Sequence, residues 1–554
     1  MKISRLKTPF PRSYWVIPGI LLAGEFPGSE NQEDAKNKIL SLIGCGIRAV
    51  INLMEPDETD HSGRSFKDYE PITTQIGRER STPITCISFP ISDQNVPTAA
   101  TMRKILDAII TSIDDHKPVY IHCWGGIGRT GTVVGCFLMK NGLAHRSNVL
   151  KTIADLRQND PKSHRISPET DAQREFVQTW NENDQNLRTG FSRTLGCLLG
   201  GAVGDALGAP VEFMKRDDIL GRFGPEGITV YAPAYGGLGS ITDDTQMTLF
   251  TAEGLLRGNV RGRHKGIASY AGMVAHAYLR WLYTQGEPHA PGIHAETHGE
   301  GAGWLILQKE LHYRRAPGNT CISALKAMSA PNTPARNTSK GCGGVMRVAP
   351  VGLFHWRLKD YHSPQETFQL GAEAAALTHG HPTGVLPAGV LSVLIRELAD
   401  GAGLTQALAS VKVLLRRARE HDETLRAIEL AEELSRSGLP HAHAIARIGQ
   451  GWIAEEALAI AVYCALVANN FRDGVILAVN HDGDSDSTGA IAGNLLGAMF
   501  GAQAIPQAWL DSLELRDVIT ELAEDLYFFP CWDIGEYSQN DELNQFVWLK
   551  YPGF

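Results

Sequence analysis

This 554-residue chain has little of what marks a secreted, membrane-spanning or nucleic-acid-coating protein. Its nine cysteines (45, 86, 123, 136, 197, 321, 342, 464 and 531) show no paired spacing and no C-x-x-C, so neither a disulfide framework nor a zinc knuckle is expected. A reducing compartment, the cytoplasm, fits that usage best. No uninterrupted apolar run reaches the ~20 residues of a spanning helix. The richest candidate, residues 489–504, is full of glycine and carries Asn494, so it reads as a buried helix and no membrane partner is expected. Lys2, Arg5, Lys7 and Arg12 ahead of apolar residues 15–23 mimic a secretory signal, but Pro18-Gly19 interrupts the apolar part and a strand is expected there instead. Low-complexity tracts and internal repeats are also missing.

Excess positive charge is absent too. Residues 1–185 hold 22 basic and 22 acidic side chains, so the remainder, with 30 and 39, carries the whole net charge of −9. That balance gives no strong nucleic-acid-binding signal. A hydrophobic fraction of 43% and a charged fraction of 20% describe a globular protein, and the length calls for more than one domain. The polar stretch around residues 181–186 marks the boundary: residues 1–183 form one domain, 184–190 a linker and 191–554 a second domain. Past it, Ala/Leu-rich segments of helical spacing (268–283, 366–377, 404–419, 424–436, 454–469) predict an all-α domain.

In the first domain the informative run is His122-Cys123-Trp124-Gly125-Gly126-Ile127-Gly128-Arg129-Thr130-Gly131. A strand-like stretch, 118–121, precedes it, and a helix over 132–139 closed by Asn141-Gly142 follows. Strand, glycine turn and helix align free backbone N–H groups at a helix N-terminus, an anion site. Trp124, Gly125, Gly126, Ile127 and Gly128 would cradle a phosphate, and the planar fork of Arg129 would hold two of its oxygens. Cys123, in that positive field, is expected to ionise well below the ordinary thiol value of about 8.5. The chemistry implied is phosphoryl transfer to sulfur. Asp93, the one carboxylate of the loop 89–97, could protonate the leaving oxygen, and Thr130 could hydrogen-bond the sulfur.

These residues resemble the cysteine-based protein tyrosine and dual-specificity phosphatases, whose signature is His-Cys-x5-Arg-Ser/Thr-Gly with a loop aspartate upstream. Residues 14–24 resemble the family's opening strand and 167–173 its last helix. The resemblance implies an α/β cysteine-phosphatase fold (a central sheet flanked by helices), a cysteinyl-phosphate intermediate and no cofactor.

The second domain sets polar groups against glycine in four stretches: 204–213, 236–247, 341–347 and 481–489. The adjacent acids Asp243 and Asp244, and the i,i+2 pair Asp484 and Asp486, repel unless a cation screens them. With Thr242 and Ser487 they form an all-oxygen set, which hard ions such as Mg²⁺ prefer.

The four stretches resemble, in order, the motifs of the ADP-ribosylglycohydrolase family. The resemblance implies two Mg²⁺ ions held by Thr242, Asp243, Asp244, Asp484, Asp486 and Ser487, with Glu212 as acid/base. It further implies an ADP-ribose-binding glycine loop of Gly341, Gly343, Gly344, Val345 and Met346. Cys342 stands where that loop often has asparagine. His379 matches a family position and is either a ligand contact or a satisfied core histidine. Asp205 is expected to hold its turn rather than a metal.

The expectation is therefore a multidomain, bifunctional hydrolase. An N-terminal cysteine phosphatase acts on a phosphorylated substrate. A C-terminal Mg²⁺-dependent hydrolase with the all-α ADP-ribosylglycohydrolase fold acts on ADP-ribosylated protein, nucleic acid or small molecule. The alternative is that one domain is a non-catalytic reader of phosphate or ADP-ribose that targets the other.

Overall fold

The computed structural model describes residues 6–60, 62–180, 189–288 and 296–554. Two compact units emerge, one of Lys2–Leu187 with Phe528–Trp548, the other of Arg188–Tyr527 with Leu549–Phe554. The sequence assigns all of 191–554 to the second domain; in the structure Phe528–Trp548 groups with the first. Leu543 lies where a Cβ on Gly19 would stand, and the Glu542 carboxylate accepts the Lys7 amide at 3.0 Å. Most of the expected linker 184–190 falls outside the described residues, and Gly190 already opens a helix capped by Thr189.

The first unit is built on a five-stranded sheet: β1 (Ser13–Ile17), β2 (Leu21–Gly24), β3 (Ala49–Asn52), β4 (Thr85–Ser88) and β5 (Val119–His122), in the order β1-β2-β5-β3-β4. Only β1 and β2 pair antiparallel; the other pairings are parallel. The expected single opening strand over 14–24 is thus a hairpin, because Pro18-Gly19 turns the chain, with Gly19 at a φ of +72°. Leu22, Ala23, Ile51, Tyr120 and Ile121 are fully buried, as strands covered on both faces must be. Helix α1 (Gln32–Gly44), α2 (Glu70–Glu79), α3 (Ala99–Asp114), α4 (Gly128–Lys140), α5 (Val149–Leu156) and α6 (Asp171–Gln178) complete the domain. Central β5 delivers its C-terminal end to the N-terminus of α4, where open α/β sheets place ligands.

The second unit is helical. The helices Gly190–Gly208 and Ser485–Phe500 touch backbone to backbone: a Cβ on Gly204 would stand 1.9 Å from the Gly489 carbonyl oxygen, and one on Gly200 2.4 Å from that of Gly493. Glycines four residues apart lie on one helix face, so this seam is written in the sequence. It brings Asp205 and the Asp484–Ser487 turn together. One described helix, Pro382–Ala399, is long and apolar enough to cross a membrane, but 83% of it is buried inside the unit and it serves as a core helix. It, rather than residues 489–504, is the most membrane-like segment.

Candidate active sites

The Cys123 loop joins β5 to α4. Three of its carbonyls are held from outside: that of Trp124 by the Phe26 amide (3.0 Å), Gly125 by the Arg12 guanidinium (2.6 Å) and Ile127 by the Ser167 hydroxyl (2.7 Å). In a trans peptide the following N–H points the opposite way, so those of Gly125, Gly126 and Gly128 turn inward. Gly126 has a φ of +67° and lies against the Gly24 backbone, where a Cβ would come to 2.5 Å. Cys123 is buried, at 3% exposure. His122 donates from Nδ1 to the Cys123 carbonyl (3.2 Å) and its Nε2 accepts from the Tyr69 hydroxyl (2.7 Å). Burial, opposed by that backbone bond and helped by Arg129, lowers its pKa to about 3 and keeps it neutral.

Arg129 sits in the first turn of α4, almost fully buried. It donates two-pronged to Glu58 (2.6 and 2.7 Å), to the Ile91 carbonyl (3.0 Å), and pairs with Asp93 at 3.0 Å. Burial works against its charge; the Glu58 bond and nearby anions outweigh it and raise its pKa. Asp93, about half exposed, is held over the loop because Thr170 and Gln173 at the start of α6 bond the Gln94 and Asn95 carbonyls (3.2 and 3.1 Å). The Thr130 hydroxyl is buried with no hydrogen-bond partner, so the expected bond to sulfur is not made. Glu58 and Arg12 escaped the sequence reading: each lies in an irregular polar stretch, and only the fold carries it to the loop.

In the helical unit, Asp205 accepts from the Thr242 amide (3.1 and 3.0 Å), the Thr245 amide (3.1 Å) and the Thr245 hydroxyl, pinning the start of the helix Asp243–Lys265. The sequence expects it to hold its own turn; it lies instead within the helix Gly190–Gly208 and anchors the start of another helix. Thr242 caps that helix by accepting the Asp244 amide (3.3 Å), and Asp243 accepts the Gly318 amide (3.4 Å). Asp484 caps Ser485–Phe500 in the same manner, taking the Ser487 amide at 3.3 Å. Two helix N-termini thus present carboxylates, where their dipoles favour negative charge. Oxygens of Glu212, Asp484 and Asp486 lie within 4.8 Å of one another, a grouping of acids that could hold a metal ion.

Burial and crowding make Asp243, Asp244, Asp486 and Glu212 resist ionisation. Desolvation first, then neighbouring carboxylates, raise Asp243, Asp244 and Asp486 well above the ordinary carboxylate range and push Glu212 up to about 9. Asp244 Oδ1 and Glu212 Oε2 are buried without any hydrogen-bond partner. Orphaned carboxylate oxygens in a buried site rich in acids fit a hard divalent cation.

The glycine loop Gly341–Gly344 lies beside this cluster. Cys342 donates its thiol to Asp484 Oδ2 (2.8 Å) and accepts from the Ser487 hydroxyl (3.6 Å). Val345 and Met346 are buried, and the Met346 sulfur accepts from the Ser487 hydroxyl at 3.8 Å. His379 is 1% exposed, bonded to the Thr378 hydroxyl (2.8 Å), and packs where a Cβ on Gly341, Gly343 or Gly344 would come to 3.3 Å. Burial, then Arg347, lowers its pKa to about 3.

Fold and sites together define a fusion of two hydrolase domains, a DSP-type phosphatase followed by an ADP-ribosylhydrolase. The model of a "Swiss Army Knife protein, DSP-PTPase phosphatase domain" matches residues 11–177. That of ADP-ribosylglycohydrolase matches residues 185–530, over half the chain, and the chain belongs to that family. It is similar to the ADP-ribosylarginine hydrolase Tri1 of Pseudomonas putida, 27% identical over 369 residues covering 65% of this chain and 82% of that protein. Among solved structures, an ADP-ribosylglycohydrolase-related protein complex is 30% identical, covering 61% of this chain and 98% of that one, with a TM-score of 0.45. Tk-PTP in its active form is 22% identical over 32% of this chain and 99% of that one, with a TM-score of 0.23.

Proposed function

We propose that both units are catalytic: the first hydrolyses phosphomonoesters through a cysteinyl-phosphate, and the second releases ADP-ribose with the help of Mg²⁺. The buried carboxylates of Asp243, Asp244, Asp484, Asp486 and Glu212, with two orphaned oxygens among them, carry the second reading.

In the first unit the Cys123 sulfur attacks phosphorus, forming an S–P bond as the ester P–O bond breaks. Arg129 and the inward N–H groups hold the phosphoryl oxygens in place of water. Asp93 gives its proton to the departing oxygen, and then, as a carboxylate, takes one from the water that cleaves the S–P bond. Inorganic phosphate leaves and the thiolate returns. Rotation of the Thr130 hydroxyl toward the sulfur would stabilise that leaving thiolate.

In the second unit Thr242, Asp243, Asp244, Asp484, Asp486 and Ser487 would hold two Mg²⁺ ions. When bound, these ions would supply Lewis-acid polarisation and orient the ribose hydroxyls. Glu212 keeps a proton that it can give to the acceptor atom as its bond to the anomeric carbon breaks; as a carboxylate it then takes one from the water whose oxygen forms the new C–O bond. Gly341, Gly343 and Gly344 let a pyrophosphate approach the backbone, with His379 as the wall behind them. The likeness to Tri1 favours an arginine guanidinium as acceptor.

The test is two assays on the full chain. Turnover of p-nitrophenyl phosphate should vanish in Cys123→Ser while ADP-ribose release from ADP-ribosylarginine persists, and Asp486→Ala should do the reverse. Retained turnover in either variant contradicts the corresponding half.

A further inference from the structure

A cavity of about 240 Å³ opens beside the Cys123 loop, with Trp124 in its wall. Its other ring walls are Phe26 and Phe66, which contact one another edge-to-face at 5.1 Å, while Phe66 meets Trp124 at 5.4 Å. Trp124 directly follows the nucleophile, and the Phe26 amide bonds its carbonyl, so cavity and phosphate loop are one continuous structure. The remaining polar lining has three acids and three bases, charges that cancel. Asp60 and Arg64 pair at 3.0 Å there, and Lys67 reaches the Glu30 carbonyl at 2.7 Å.

We infer that this cavity is a base subsite, and that the phosphatase unit takes a nucleotide, its phosphate on the Cys123 loop and its base against Phe66 and Trp124. The inference rests on the phosphatase reading above and names its substrate class. Aromatic walls accept any flat ring, and stacking a base on one tightens binding by about tenfold or more. The balanced rim offers both donors and acceptors to a base edge, and offers no net attraction to a polyanion such as an inositol polyphosphate. A tyrosyl ring esterified directly to the phosphate would have to stand over Cys123 itself. The cavity's lining includes Trp124 but not Cys123, so a ring seated there would join the phosphate through a spacer such as a pentose.

The experiment compares adenosine 5′-monophosphate with ribose 5-phosphate, which differ by the base. On full-length Cys123→Ser, calorimetry should show the nucleotide binding about tenfold tighter or better. Phe66→Ala in that background should reduce this preference to near unity and leave ribose 5-phosphate affinity unchanged. Phe66→Leu, which keeps the packing bulk, should lose the preference as well. Equal affinity for the two ligands, an equal loss of both in Phe66→Ala, or Phe66 dependence seen only with phosphotyrosine would overturn the subsite. A nucleotide preference in Cys123→Ser alongside no p-nitrophenyl phosphate turnover in the wild-type chain would overturn the phosphatase reading while upholding the subsite.

Discussion

Arg129 and Glu58 face each other fork to fork, Nη1 to Oε2 at 2.6 Å and Nη2 to Oε1 at 2.7 Å, across 71 residues of sequence. Glu58 therefore fixes the orientation of the guanidinium as well as pairing its charge. Removing one partner of a buried pair leaves an uncompensated charge, at about 3–5 kcal/mol. Glu58→Ala is expected to lower the first unit's unfolding free energy by about that much in urea titration. It should also cut kcat/KM for p-nitrophenyl phosphate by at least about tenfold. An unchanged kcat/KM would mean that Arg129 orients itself.

Asp93 should matter in proportion to how badly the leaving group needs a proton. General acid catalysis contributes roughly 10²–10⁴-fold. Asp93→Asn is expected to lose about a hundredfold or more in kcat on an alkyl phosphate and much less on p-nitrophenyl phosphate, whose phenolate leaves unaided. Equal losses on both would reassign Asp93 to binding Arg129.

The crowded acids of the second unit make a prediction about pH. With no ion bound, Glu212 holds its proton to about 9, and Asp243, Asp244 and Asp486 are raised by the same burial. The unfolded chain gives these protons up near pH 4–4.5, so folding takes up protons between there and 9, and stability falls as pH rises. Each such group contributes up to about 1.4 kcal/mol per pH unit. In EDTA the melting temperature of this unit should drop steadily from pH 6.5 to 9. In Mg²⁺ at a hundred times its Kd the unit should gain about 2.7 kcal/mol and the slope should flatten. A slope identical with and without Mg²⁺ would contradict the cation reading.

The glycine seam should tolerate nothing larger. A methyl on Gly204 would meet the Gly489 carbonyl oxygen at 1.9 Å, a backbone atom that yields only if the helices separate. Overpacking of this kind costs about 1–3 kcal/mol or more. Gly204→Ala is expected to lower the melting temperature and abolish Mg²⁺-dependent stabilisation, while Gly221→Ala, which meets open space, should do neither.

What was legible in the sequence was contiguous. Cys123 to Arg129, Thr242 to Asp244 and Asp484 to Ser487 each fit within seven residues or fewer, so local spacing alone reveals their chemistry. Glu58, Arg12 and the Cys342–Asp484 contact were not legible, because each joins segments far apart in the chain that only packing brings together. The hairpin at Gly19 was hidden because Pro18-Gly19 interrupts an apolar run whether it ends a strand or turns one. Nor could periodicity show that Phe528–Trp548 groups with the first unit, since an apolar face such as that of Leu543 does not say which core it joins.

The central claim is that the second unit's acids work as a cation-dependent catalyst, and one assay tests it directly. Release of ADP-ribose from ADP-ribosylarginine by the Cys123→Ser chain should proceed in Mg²⁺, stop in EDTA, resume on adding Mg²⁺ back, and be absent from Asp486→Ala under every condition. Release that continues undiminished in EDTA, or in Asp486→Ala, would contradict the account.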